Sequence, residues 1–377
     1  MEIYLDNSAT TQICKEAADK ITYIVNNIYG NPSSLHKKGL EAEHEIESAR
    51  KALAKALGTL DSELYFTSGG TEANNTAVFG AAYAKKRQGS KIVTTAVEHS
   101  SVLESCKELE NQGFEVVYLK PDINGHITAA QIENAVDRNT ILVTVMAVNN
   151  ETGAIFPVDK IKKIIERKKS PALFHCDAVQ AFAKIPVKPH KIDADLLTVS
   201  SHKIHGPKGC GALFVKKGVY IKPLLYGGEQ QKKIRPGTEA LPLIGGFGEA
   251  IKQIQPYSDS IKYITELRDY TVKKLSAIDG ITINSPCDAL PYIINISAIG
   301  IKSETMLHAL ADKQIYISSG SACSKGKQSH VLQAMGLSRE RTDSALRISF
   351  SKYNTTQEID ALAQAIKEGL NSLVRAK

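Results

Sequence analysis

Ser200-Ser201-His202-Lys203-Ile204-His205-Gly206-Pro207-Lys208-Gly209 follows an apolar run, Ala194 to Val199, whose length and composition read as a buried strand. Lys203 is therefore presented just beyond a strand end, on a loop punctuated by Gly206, Pro207 and Gly209. Open α/β sheets keep their ligands at that edge. A lysine held in such a crevice gives up its proton readily and can condense with an aldehyde, whereas in solvent it would be one more charged surface group.

The preceding apolar run, Ala172 to Cys176, ends in Asp177-Ala178-Val179-Gln180. A carboxylate at one strand end and a lysine at the next can address opposite sides of a ring bound across the sheet edge. Pyridoxal 5'-phosphate (PLP) needs that pair: the aspartate keeps the pyridine nitrogen protonated and the lysine tethers the aldehyde. Alone, Asp177 would read as a helix cap. Gln180 and the Ser-Ser-His-Lys stretch beside it favour the cofactor.

Outward from this pair, strands and helices alternate. Leu64-Tyr65-Phe66, Ile92 to Ala96, Val116 to Leu119 and Ile141 to Val148 read as strands, and helical patterns lie between them, which predicts a mostly parallel sheet covered on both faces. Ser68-Gly69-Gly70-Thr71 opens the helix through Ala73 to Lys85, and freed backbone amides at such a start suit an anion. Beyond Pro256-Tyr257-Ser258 the pattern changes to strands near Ile281 to Ile283, Tyr292 to Ile296 and Leu346 to Phe350 among helices. The expected architecture is α/β, with a large domain over 13–255 and a smaller α+β domain made of 1–12 and 256–377.

Composition is ordinary for a soluble globular chain of 377 residues, and a net charge of +7 is too mild to predict direct nucleic-acid binding. The six cysteines are scattered, with no C-x-x-C pair and no zinc spacing, so reduced thiols in a cytoplasmic protein are expected. Glu2 to Asp6 reads as a first strand and not as a signal peptide, and no apolar run approaches a membrane span.

Five segments together resemble the class V, fold-type I PLP-dependent transferases, and within them the NifS/IscS-type cysteine desulfurases. They are Tyr4 to Thr11, Thr67 to Glu72, Glu98-His99, the Asp177 and Lys203 segments, and Ser318-Ser319-Gly320-Ser321-Ala322-Cys323. The resemblance implies that Gly70 and Thr71 hold the PLP phosphate. His99 would stack on the ring, Asn149 would touch the ring hydroxyl or the substrate, and Asp177, Gln180, Ser200, His202 and Lys203 would complete the cofactor site. It implies a homodimer in which Thr238 reaches the phosphate of the other subunit. Asn7 is a weaker substrate-side candidate.

Arg347 lies inside an apolar strand, an expensive place for a guanidinium without an anion, so it is read as a clamp on an amino acid's α-carboxylate, with an internal ion pair as the alternative. Cys323 sits in a glycine- and lysine-rich stretch that favours thiolate. The implied reaction takes L-cysteine: Lys203 removes the α-proton, His99 assists, and Cys323 attacks the substrate sulfur, leaving alanine and a Cys323 persulfide for a sulfur-acceptor protein of iron-sulfur assembly or thiolation. Only Ser324 to Gln328 separate Cys323 from the following Ser-His, fewer than in many family members, which bears on reach, rate and acceptor. A class V aminotransferase or selenocysteine lyase would share the PLP residues, and a sulfur-relay scaffold acting mainly by binding is the reading from another class. No metal is expected.

Overall fold

The aliphatic runs become strands because they are buried on both faces. The computed structural model describes residues 2–255, 257–320 and 328–374, so Pro256 and the stretch holding Cys323 lie outside the described residues. Seven strands form the main sheet: β2 (Leu64–Thr67), β3 (Lys91–Thr95), β4 (Glu115–Leu119), β5 (Thr140–Met146), β6 (Leu173–Asp177), β7 (Leu196–Ser200) and β8 (Gly211–Val215), with β1 being the separate Ile3–Tyr4. Their order is β2-β8-β7-β6-β5-β3-β4. Strands β3 to β7 pair in parallel, and β8 is antiparallel to both neighbours. Every residue of β5, β6, β7 and β8 is buried, which is why these segments read as continuous apolar runs without alternation.

Helix Gly70–Lys85 lies against β5, β7 and β8, while Lys15–Asn27 and Lys37–Leu57 both pack on Leu241–Lys252. That last helix can be approached closely because it carries Gly248, where a Cβ would stand 2.7 Å from the Cα of Ala49. His36 caps Lys37–Leu57 by accepting from the Gly39 amide at 3.2 Å, and Gly58 ends it in the left-handed region.

The rest of the chain builds a smaller antiparallel sheet in the order β12-β10-β9, from β9 (Ile281–Ile283), β10 (Ile293–Ala298) and β12 (Ala345–Ser349). Helices Tyr257–Ser276 and Thr356–Ser372 pack together beside it. Strand β1 pairs in parallel with β11 (Ile315–Tyr316), a two-residue strand too short to leave a period in the sequence. Bridges Asp6 to Ser349 and Ser318 to Arg347 tie the chain's first turn and the approach to Cys323 onto β12. The α/β fold with a mostly parallel main sheet is as expected.

Candidate active site

Three of the expected residues stand at carboxyl ends of neighbouring parallel strands. Asp177 is the last residue of β6, Ser200 the last of β7, and Lys203 ends the 3-10 turn Ser201–Lys203 that follows. They border one cavity of about 540 Å³, also faced by His99, Gln180 and Arg347. At its far end lie Gly70 and Thr71, the first residues of helix Gly70–Lys85. A Cβ at Gly70 would stand 3.1 Å from Val179 Cγ2 and 3.6 Å from Ser200 Cβ, so a glycine lets the helix start come close to the strand ends. The buried Ser200 hydroxyl has no hydrogen-bond partner among the described residues. Such an orphan beside a helix N-terminus is a seat for an anion.

Asp177 is held from two sides. Its Oδ2 accepts from Asn74 Nδ2 at 2.7 Å and its Oδ1 from the Val179 amide at 2.9 Å, which fixes the carboxylate toward the cavity. Lys203 Nζ donates to the carbonyls of Ser8 and Ala9, the latter at 2.7 Å. Burial, then the cations of Arg347 and Lys184, push its amine down to about 7, against the pull of Asp6 and Asp177. At neutral pH a large fraction is the free base, the form that acts as nucleophile and proton acceptor.

His99 caps helix Ser100–Asn111, its Nδ1 accepting from the Ser101 amide, and burial holds its imidazole below the usual range. Burial and the Lys203 charge push His202 down to about 4, with its Nδ1 3.2 Å from Thr10 Oγ1. Both rings are therefore neutral at physiological pH. Gln180 Nε2 donates to the Ser8 carbonyl at 2.9 Å, the same oxygen that receives Lys203.

Arg347 makes the internal ion pair that was the alternative reading, and it also faces the cavity. It is 2 % exposed, its Nη2 meets Asp6 Oδ1 at 2.8 Å, and its Nη1 donates to the Asn150 carbonyl at 3.0 Å, yet it faces the cavity and its buried Nε has no partner among the described residues. Two expected residues are not on the wall. Asn149 holds a turn instead: its Nδ2 donates to the Val97 carbonyl and its Oδ1 accepts from the Glu151 and Thr152 amides, while Asn150 lines the cavity. Asn7 is buried with its amide donating to the Ser349 carbonyl at 3.0 Å and toward Asn354, so it ties chain ends together where a substrate contact was expected. Thr238 is exposed and away from this cavity. Cys323 lies outside the described residues, but Gln328 and His330, just past its stretch, reach the cavity wall.

Sequence reasoning missed Asn74, Asp6 and Lys184. A buried asparagine in a largely apolar helix was the available signal for Asn74, since a polar amide 1 % exposed must be serving a partner. Asp6 lay inside a quoted motif without a role. Nothing local marks Lys184, whose place beside Lys203 is made by tertiary folding.

Comparison with known proteins agrees across nearly the whole chain. The family model described as aminotransferase class-V matches residues 3–362. A cysteine desulfurase IscS of Methanosarcina thermophila is 40% identical over 375 residues, 98% of this chain and 92% of that protein. A solved structure described as a NifS-like protein superposes with a TM-score of 0.94 at 37% identity, covering 99% of this chain and all of the other. Another, SspA in complex with cysteine, has a TM-score of 0.83 at 32% identity over 94% of this chain and 100% of that one.

Proposed function

The chain belongs to the aminotransferase class V family, and from that membership we propose that Lys203, Asp177, Arg347 and Cys323 divide the work of a PLP-dependent cysteine desulfurase among them. The enzyme converts L-cysteine to L-alanine and moves the sulfur onto a thiol of its own. The observation that carries the residue assignment is the Lys203 amine, lowered to about 7 at a strand end across the cavity from a doubly held Asp177.

The residues fit the cofactor. The orphaned Ser200 hydroxyl and the Gly70-Thr71 helix start suit its phosphate, Asp177 its ring nitrogen, Lys203 its aldehyde, and the neutral His99 a ring face. When bound, PLP supplies an electron sink for the substrate's α-carbon. The chain does the remainder. Arg347, already paired with Asp6, faces the cavity and would draw the substrate carboxylate to this wall, setting the α-carbon beside Lys203. Lys203, as free base, accepts the α-proton. The Cys323 thiolate attacks the substrate sulfur: a sulfur–sulfur bond forms, the carbon–sulfur bond breaks, and the pair left on carbon takes a proton to give alanine. His99, neutral at rest, assists proton movement at the cavity wall.

Other thiols are poor competitors. Burial pushes Cys106 and Cys176 up and raises Cys210 to about 12, so none of them is a thiolate at neutral pH. Cys287 is exposed but away from the cavity.

We place Thr238 in the partner's site of a homodimer. Leu35, Tyr29 and Tyr226 support this, being large apolar side chains at 105%, 76% and 86% exposure. The persulfide is then handed to an acceptor protein of iron-sulfur assembly or thiolation. A cytoplasmic setting suits a chain whose described cysteines are all free, and no described helix is long and apolar enough to cross a membrane. The functional division we adopt is a PLP-binding unit over 13–255 and a second unit of 1–12 with 256–377.

The test is Cys323→Ala with purified PLP-loaded protein and L-cysteine. Visible absorbance should stay while alanine release falls roughly 10²-fold or more. Mass spectrometry of the cysteine-treated wild type should place the extra sulfur on Cys323. Alanine made at the wild-type rate by the variant, or a persulfide mapped to Cys176 or Cys210, would overturn the assignment.

A further inference from the structure

Lys184 is a buried cation without a carboxylate. It is 7% exposed, belongs to no ion pair among the described residues, and its Nζ meets Gln180 Oε1 at 3.2 Å and the Tyr292 ring at 5.6 Å from the centroid. Burial pushes its amine down to about 8, so its position is not explained by stability. An ammonium only donates. Gln180 must therefore turn its oxygen toward Lys184, which leaves Nε2 to face the other way, onto the Ser8 carbonyl that also receives Lys203.

We propose that Lys184 is a positioning residue for the reaction: it fixes the amide of Gln180 so that an N–H, never an oxygen, is presented to the cavity and to the carbonyl shared with Lys203. This rests on the PLP reading above. An amide N–H facing the cavity suits the electron-rich hydroxyl of a pyridoxal ring, and the flipped oxygen would repel it. Lys184 acts a second way, because its charge helps keep Lys203 a free base. Lys203 is also faced by Arg347, Asp6, Asp177, His99 and His202, so removing Lys184 alone moves the balance only in part.

The test compares Lys184→Met, Lys184→Arg, Gln180→Ala, Gln180→Glu and the Gln180→Ala/Lys184→Met double variant. In cofactor-free protein, the pH midpoint for acetylation of Lys203, mapped by peptide mass spectrometry, should rise by about half a unit in Lys184→Met and stay put in Lys184→Arg. The PLP dissociation constant, from spectral titration, should increase roughly threefold to tenfold in Lys184→Met. The double variant should bind PLP no worse than Gln180→Ala, because one residue acts through the other. Gln180→Glu, which pairs with Lys184 but offers no donor, should bind as weakly as Gln180→Ala, and it remains informative if Lys184→Met does not fold. Additive losses in the double variant, or wild-type PLP affinity in Gln180→Glu, would refute the orienting role. A wild type that bound no PLP would sink the cofactor reading instead, before any variant is compared.

Discussion

Two walls of the cavity are made in different ways. One is a row of strand ends on the main sheet, where Asp177 and Ser200 close β6 and β7 and Lys203 follows within three residues. The other is assembled from remote segments: Asp6 to Ala9 against β12, with Arg347 held by Asp6 and by the Asn150 carbonyl. A strand buried on both faces fixes where its end residue points, so the first wall is stiff before any ligand arrives. The second depends on contacts across more than three hundred residues of chain. In the proposed assignment the cofactor's reactive groups belong to the first wall and the substrate's carboxylate to the second.

If this division holds, variants on the two walls fail differently. The largest effect belongs to Lys203→Ala on the strand-end wall: the visible absorbance of the PLP-loaded protein should vanish and alanine production fall by roughly 10³-fold or more. A borohydride-reducible linkage surviving in that variant would erase the distinction. On the other wall, Arg347→Met should leave the absorbance unchanged while kcat/KM for cysteine drops by about 10²-fold, mostly through KM, since a charge-assisted hydrogen bond contributes about 1.5–3 kcal/mol. Loss of colour in Arg347→Met would show that the walls are not separable.

The third effect is read in stability and not in turnover. Burial pushes the Lys203 amine down to about 7 in the folded protein from the usual 10.5, so the unfolded chain binds its proton more strongly between those values. Stability of the cofactor-free protein gains from this group as pH rises from about 7 to 10.5. Below about 7 the cost of burying the charged amine is fully present. Lys203→Met should therefore be more stable than wild type at pH 6.5, with the gap in urea unfolding closing steadily up to pH 10. Parallel profiles would mean that the amine is not desolvated.

The same division governs what could be read from the sequence. Apolar runs ending in Asp177 and in Ser200 to Lys203 made strand and edge legible in one stretch, because period and punctuation are local signals. The assembled wall was legible only as isolated oddities. Arg347 was conspicuous for its apolar neighbours, but that Asp6 already neutralises part of its charge is a tertiary fact. Asn7 and Asn149 share a feature that residue type does not carry: both are buried, and both use their amides to hold backbone groups. Residue type and neighbourhood do not reveal which way an amide faces.

The Ser349 knot has a consequence for the order of events in synthesis. Its hydroxyl accepts from the Ser8 amide at 2.8 Å and its amide donates to the Leu5 carbonyl at 2.7 Å, so the segment just after the first strand is fixed by the end of β12. At roughly 5–20 residues per second, the segment carrying the Ser8 and Ala9 carbonyls waits on the order of tens of seconds for its partner to leave the ribosome. Until then Asp177 and Lys203 have been made and β12 has not. A polypeptide arrested before Ser349 would carry Lys203 and the Ser8 and Ala9 carbonyls it donates to, without the Ser349 contacts that tie that segment to β12.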